Sequence, residues 1–456
     1  GIMHTHEQRF PNGMKPIADY VHGLGMKAGL YTDAGNSTCG SMWDNDAAGV
    51  GAGIYGHEPQ DAQLYFGDWG FDFIKIDYCG GDALGLNEKE RYTSIRNSID
   101  KVNKDVSINI CRWAFPGTWA KDAATSWRIS GDINAHWGSL RYVVGKNLYL
   151  SAYAGNGHYN DMDMMVIGFR NDSKVGGQGL TPTEEEAHFG LWCIMSSPLL
   201  IGCNLENMPD SSLELLTNKE LIALNQDPLG LQAYVAQHEN EGYVLVKDIE
   251  QKRGNVRAVA LYNPSDTICS FSVPFSSLEF GGNVKVRDLV KHSDLGNFSG
   301  TFEQTLPAHS AMFLRIEGET RLEPTLYEAE WAYLPLFNDL GKNPKGIIYA
   351  HDKEASGKMK VGFLGGQPEN YAEWREVYSE NGGRYDMTIH YLYGKGRQIE
   401  LDVNGIIAKI DSLGEDNGHN QITVPVELKA GYNTIRMGNS YNWAPDIDCF
   451  TLKKAL

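Results

Sequence analysis

The sequence predicts an α/β fold: a (β/α)8 TIM-type barrel over residues 1–229, an antiparallel β-sandwich over 230–317, a linker at 318–325 and a second antiparallel β-sandwich over 326–456. Three observations predict it. Strand-like and helix-like stretches alternate through the first 229 residues, the pattern of a parallel sheet with crossover helices. Near residue 230 the texture changes to short alternating strands separated by polar turns. The 456 residues also exceed what one ordinary core holds.

Each element has its own signal. NGMKPIADYVHGLG (12–25) carries Ile17, Tyr20, Val21 and Leu24 at helical spacing and stops at Gly25. MKAGLYTDAG (26–35) follows as a strand and turn. EPQDAQLYFGDWG (58–70) reads as a helix with Pro59 near its first position and Gly70 at its end. DFIKIDYCGGD (72–82) is a strand, apolar at Phe73, Ile74 and Ile76, that ends on Asp77. NEKERYTSIRNSIDKVN (87–103) is a polar-faced helix and DVSINICRW (105–113) a strand. SWRISGDI (126–133) and GHYNDMDMMVIG (157–168) are strand-like. TPTEEEAHFGLWCIMSS (181–197) is a helix opened by a Thr181–Glu184 capping box, and PLLIGCNL (198–205) is a last apolar strand. Six such strands in about 200 residues supply most of a (β/α)8 barrel. GYVLVKDI, NVRAVALYN, CSFSVPF, NVKVRDLV and HSAMFLRIE then build the first sandwich. YEAEWAYL, YAEWREVYS, RYDMTIHYLYG, RQIELDVNG, QITVPVEL and NTIRMGNS build the second.

Composition narrows the function. A formal charge of −18 argues against nucleic acid as a partner, because phosphate binding needs clustered Lys and Arg. No apolar run reaches the length of a membrane helix, so no membrane partner is expected. The opening GIMHTHEQRF lacks the apolar centre of a signal peptide, and its initial Gly points to a cut chain. The seven cysteines are too sparse for a disulfide scaffold and lack zinc-like spacing; one or two bridges are open to them. Oligomeric state is not legible.

The chemistry lies at strand ends. In a parallel barrel, active-site groups sit at the C-terminal ends of the strands. Asp33, Asp77, Asp132 and the pair Asp161 and Asp163 all fall there. A charge at such a rim costs desolvation unless it is paired or used. Two carboxylates can cleave a glycoside with retention, one attacking the anomeric carbon and the other serving as acid, then base. Lys75, two residues before Asp77, shares its strand face and can hold that carboxylate ionised. Arg128, four before Asp132, shares that strand's face. A lone Asp at a strand end is more often a cap or turn residue; for Asp77 the two readings weigh equally.

These residues match a family. The stretches RFPNGMKPIADYVHGLGMKAGLYTDAGNSTC, GHEPQDAQLYFGDWGFDFIKIDYC, YNDMDMM, SPLLIGCNL and LIALNQDPLGLQA lie in order through residues 9–233 and resemble glycoside hydrolase family 27, the retaining α-galactosidase and α-N-acetylgalactosaminidase group. The resemblance implies that Asp77 is the nucleophile and Asp132 the acid/base. It implies that Tyr31, Asp33, Lys75 and Arg128 line the sugar pocket, with Trp113 and Asp161 shaping it. Cys39 and Cys79 match a pair that is bridged in the family; two reduced thiols are the alternative. The family's Trp-bearing first strand and Asp-Asp second strand have no counterpart here, so the barrel is expected without its first strands. Many α-galactosidases read Cys-Glu-Trp where this chain has Cys111-Arg112-Trp113. Arg112 therefore either favours a different sugar substituent, including an acidic one, or points to solvent, and Cys111 is expected free.

The expected activity is hydrolysis of terminal α-D-galactosyl residues from oligo- or polysaccharides, with no cofactor for catalysis, by a secreted or periplasmic enzyme. α-N-acetylgalactosaminidase and β-L-arabinopyranosidase are alternatives, and so is a non-catalytic glycan-binding protein. Residues 326–456 resemble carbohydrate-binding modules of families 6 and 35, through YEAE, GGRYDMTIHYLYG and APDIDCFTL. That likeness implies a structural calcium held by Glu328, Glu330 and Asp448, against ordinary edge-strand carboxylates. Tyr371, Trp374, Tyr441 and Trp443 are candidates for stacking on sugar rings, against core packing.

Overall fold

Short runs of β-branched and aromatic residues form five parallel strands, β1 Gly29–Asp33, β2 Phe73–Asp77, β3 Ser107–Ile110, β4 Ser126–Arg128 and β5 Tyr159–Asp161, paired in sequence order. The structure is a computed structural model and describes residues 3–170, 178–340, 346–411, 413–414 and 416–455. It divides into two compact units. The first comprises residues 1–131, 157–161 and 338–340, and the second holds the remainder.

The first unit contains the parallel sheet. Ile74, Ile76, Ile108 and Ile110 are buried, as strands covered on both faces require. The helix Lys15–Gly23 precedes β1 and is shorter than the predicted 12–25. The predicted helix 58–70 begins as Glu58–Ala62 and widens into a π-helix over Gln63–Asp68. The helix Glu88–Asp100 is capped by the Asn87 side chain, which accepts from the backbone of Glu90. Its buried Tyr92, Ile95 and Ile99 supply an apolar stripe. Among the described residues no strand pairs with the outer edge of β1.

Two predicted strands are shorter than expected. The stretch 157–168 keeps only β5 and one bridging residue, Met165, which pairs in parallel with Ile201. Asp163 interrupts it with φ of 77°, a left-handed conformation that no extended strand contains. The predicted strand 198–205 is likewise reduced to that bridge.

The second unit carries both sandwiches. A six-stranded antiparallel sheet from Tyr234–Glu239 to Ser310–Arg321 packs against the pair Cys269–Pro274 and Thr301–Leu306. In Cys269–Pro274 the buried residues alternate, so Cys269, Phe271 and Val273 enter the core. The strand Ser310–Arg321 runs through the first half of the expected linker, pairing Arg321 with Phe280. Arg321 is held there by Asp248 and Glu279. The C-terminal sandwich has one sheet built around Asp446–Lys454 and a four-stranded sheet built around Tyr371–Ser379 and Gly431–Gly438. No helix among the described residues is long and apolar enough to cross a membrane.

The helix Pro182–Ile194 shows the predicted capping box, with Thr181 and Glu184 bonded reciprocally. It packs on the strand Ser310–Arg321 through Gly190, where an added Cβ would lie 2.0 Å from the ring of the buried Phe313. Ala has the better helix propensity by about 1 kcal/mol, but overpacking of this kind costs about 1–3 kcal/mol or more. Gly190→Ala is therefore expected to destabilise the protein in a urea titration. A raised midpoint would show that the Phe313 ring yields without cost.

Candidate active site

Register builds the site. β1 and β2 pair so that Tyr31 lies beside Lys75 and Asp33 beside Asp77. β2 and β3 place Lys75 beside Asn109, and β3 and β4 place Asn109 beside Ser126. β4 and β5 set Arg128 beside Asp161. Residues two apart on a strand share a face, so two polar rows result: Tyr31, Lys75, Asn109 and Ser126 below, and Asp33, Asp77, Arg128 and Asp161 at the C-terminal ends. Cys111 closes the gap in the upper row, its N–H bonded to the carbonyl of Ile76 at 2.9 Å.

Asp77 is 6% exposed. Lys75 Nζ stands 3.5 Å from its Oδ1, and the Tyr31 hydroxyl 3.1 Å from its Oδ2. That hydroxyl is also 2.9 Å from Oδ2 of Asp33. Asp33 is fully buried and accepts the N–H groups of Cys39 and Cys79 at 3.1 and 3.2 Å. Cys39 and Cys79 are joined by a disulfide, as the family resemblance implied. The bridge fixes both amides toward one carboxylate. Gly35 permits the approach, since a Cβ there would meet the carbonyl oxygen of Cys79 at 2.1 Å.

Burial pushes the Asp33 carboxyl up to about 6, and the charge of Asp77 adds to it; the Tyr31 hydrogen bond and the two amides act in the opposite direction. Burial, then the charges of Asp77 and Asp33, raise the Tyr31 phenol. Cys111 is free and buried, and burial holds its thiol well above the usual value.

Arg112 takes neither of its expected orientations. Its guanidinium binds Asp82 at 2.9 Å and Glu88 at 3.2 Å and lies over the Tyr78 ring at 4.8 Å. Two carboxylates already occupy it, so it ties the loop after β3 to the loop after β2. Trp113 follows in the left-handed region, with φ of 58°. A bulky residue there carries strain, a feature that gathers at functional sites. Arg128 and Asp161 are buried at their strand ends.

Asp132 does not share a strand with Arg128. β4 ends at Arg128, and Asp132 is an exposed residue of the loop before the helix Trp137–Asn147. Asp163 braces that loop, its Oδ2 accepting the N–H of Ile133 at 2.9 Å. The sequence reading assigned no such work to Asp163. It also missed Asn109, whose amide donates to Asp161 and Ser126, each at 2.8 Å. The signal for Asn109 was present: alternation in Ser-Ile-Asn-Ile sends Asn109 to the opposite face from the two isoleucines.

In the C-terminal sandwich Glu328, Glu330 and Asp448 are buried, 4%, 1% and 6% exposed. Glu328 Oε2 and both oxygens of Glu330 have no hydrogen-bond partner among the described residues. Burial raises all three carboxyls. Trp374 is a core residue at 3% exposure, with its indole N–H bonded to the carbonyl of Glu328 at 2.8 Å. Tyr371 is partly buried under the Arg436 guanidinium. Tyr441 and Trp443 are exposed.

Comparison with known proteins agrees with this geometry. Residues 1–227 match the family model described as alpha galactosidase A, and residues 242–316 match that of the alpha galactosidase C-terminal beta sandwich domain. Alpha-galactosidase 3 of Arabidopsis thaliana is 37% identical over 314 residues, covering 68% of this chain and 67% of the relative. Alpha-galactosidase A of Cellvibrio japonicus is 34% identical over 340 residues, covering 69% of this chain and 78% of the relative. The crystal structure of alpha-galactosidase I from Mortierella vinacea superposes with a TM-score of 0.61 at 27% identity, covering 70% of this chain and 83% of that one.

Proposed function

The chain belongs to the α-galactosidase family, glycoside hydrolase family 27, and from that premise we propose that it releases terminal α-D-galactosyl residues from oligo- or polysaccharides with retention of configuration. The observation that carries the reading is the seating of Asp77 at the end of β2, with Lys75 Nζ at 3.5 Å and the Tyr31 hydroxyl at 3.1 Å. Lys75 sets a cation beside the carboxyl that acts as nucleophile.

The reaction has two displacements. An Asp77 oxygen forms a bond to the anomeric carbon while the glycosidic C–O bond breaks. Asp132 gives its proton to the departing oxygen. Asp132 then takes a proton from water, whose oxygen attacks the anomeric carbon and returns Asp77 as a carboxylate. Tyr31, Asp33, Lys75, Arg128 and Asp161 bind or orient the sugar, and Trp113 shapes the pocket. Arg112 braces the loop that carries Trp113. Asp77→Ala is expected to lower turnover of an aryl α-galactoside by at least about a thousandfold with the fold retained by circular dichroism. NMR of the wild-type reaction should show the α-anomer of galactose first; β-galactose first would exclude the scheme.

We assign residues 1–229 to catalysis, 230–321 to a supporting sandwich, 322–325 to a linker and 326–456 to a carbohydrate-binding module of the family 6 or 35 type. Its hard oxygen donors Glu328, Glu330 and Asp448 suit calcium, and the buried oxygens without a hydrogen-bond partner among the described residues are what such an ion would satisfy. Calcium titrated into the chelated full chain should release heat and raise the Tm, and Glu330→Gln should abolish both effects. An unchanged Tm would leave these groups as plain buried acids. Trp443 and Tyr441, exposed at 43% and 79%, are the rings to which this reading gives stacking on a polysaccharide. Trp443→Ala should lose retardation in affinity electrophoresis through galactomannan without losing aryl-galactoside turnover. Equal retardation of the variant would remove Trp443 from that role. The Cys39–Cys79 bridge favours an oxidising compartment, secreted or periplasmic.

A further inference from the structure

The Tyr31 hydroxyl has one hydrogen and two carboxylates to serve. Its oxygen lies 2.9 Å from Asp33 and 3.1 Å from Asp77. With both acids ionised, one of these contacts sets a phenol lone pair against an anion with no proton between them. Asp33 is fully buried, so water does not relieve its charge. A second proton, on the Asp33 oxygen that faces Tyr31, satisfies both contacts at once.

We propose that Asp33, Tyr31 and Asp77 form a two-proton relay in which protonated Asp33 donates to the Tyr31 oxygen and Tyr31 donates to Asp77, so that Asp33 positions the nucleophile from a distance. This rests on the reading of Asp77 as nucleophile. When Asp33 loses its proton, Tyr31 turns its hydrogen to Asp33 and Asp77 loses an orienting bond. No bond to carbon changes in the relay; one proton leaves Asp33 to solvent and one hydroxyl rotates.

The surroundings fit. Asp33 lies between β2, which presents Asp77 with Lys75 against it, and the bridged Cys39 and Cys79, whose amides donate to it and whose sulfurs do not titrate. From the helix Glu88–Asp100, Tyr92 spends its hydroxyl on the carbonyl of Ile76 at 3.0 Å, and its phenol is raised by burial. Lys75 meets the other oxygen of Asp77, Oδ1, and leaves Oδ2 to Tyr31. Burial and the charge of Asp77 put the Asp33 titration at about 6. The sign follows: the relay is complete below that pH and broken above it.

The test uses a fluorinated α-galactosyl fluoride inactivator. Its C1–F bond breaks as C1–O forms on Asp77, and fluoride leaves without help from the acid/base residue. The labelling rate of the full chain should fall about tenfold as pH rises from 5 to 8, with an inflection near 6. Asp33→Asn, which has no carboxyl to titrate, should remove the inflection, and Tyr31→Phe should label slowly and without pH dependence. A flat wild-type profile, or an inflection that persists in both variants, would overturn the relay. A label mapped to another residue would instead sink the nucleophile assignment. NMR of the ¹³C-carboxyl of Asp33 then judges the relay independently of labelling. Titration near 6 that moves down in Asp77→Asn supports it, and titration at an ordinary aspartate value in the wild type refutes it.

Discussion

The parallel pairing of β1 with β2 is the constraint on which the site depends. Because Tyr31 pairs with Lys75 and Asp33 with Asp77, four polar side chains meet on one face at the strand ends. A slip of β2 by one residue would send Lys75 and Asp77 to the opposite face and bring Ile74 and Ile76 round in their place. The apolar alternation of β2 guards against that slip, since Ile74 and Ile76 are fully buried on the other side. Two carboxylates in one enclosed place repel each other, and the fold answers each differently: an ammonium group for Asp77, and two backbone amides for Asp33.

The amides need a rigid mount. They come from two loops joined by the Cys39–Cys79 bridge, and the close pass of Gly35 beneath Cys79 removes slack. Arg112 does comparable work one strand further on, binding Asp82 and Glu88 and stacking on Tyr78. An arginine at that position was expected to read the substrate or to sit in solvent. Its planar fork instead meets two carboxylates from the preceding loop and helix, the use for which guanidinium is best suited.

The second unit shows the same economy with buried polar groups. Trp331 bonds through its indole N–H to the carbonyl of Val235, and Tyr153 bonds to Tyr349 and to the backbone of Leu334. These contacts fasten the C-terminal sandwich to the earlier elements of its unit. Glu328, Glu330 and Asp448 stand apart, since three acids gathered in an apolar setting are costly without a counter-charge.

Much of this was legible in the sequence. Alternation of apolar residues gave the parallel strands and both sandwiches, and the Thr181 capping box appeared where its spacing placed it. The strand-end carboxylates were visible because a charge closing an apolar strand is conspicuous. Strand lengths were not legible, because Asp163 ends a run by a backbone conformation that side-chain patterns do not announce. The work of Asn109, the Tyr31 hydrogen shared between two acids and the occupation of Arg112 were decided only by tertiary structure. Each depends on at least one partner between 17 and 52 residues away, brought into hydrogen-bond distance by the folding of neighbouring strands and loops. Local sequence sets which face a side chain takes; which neighbour it finds there is set by strands that only the folded chain aligns.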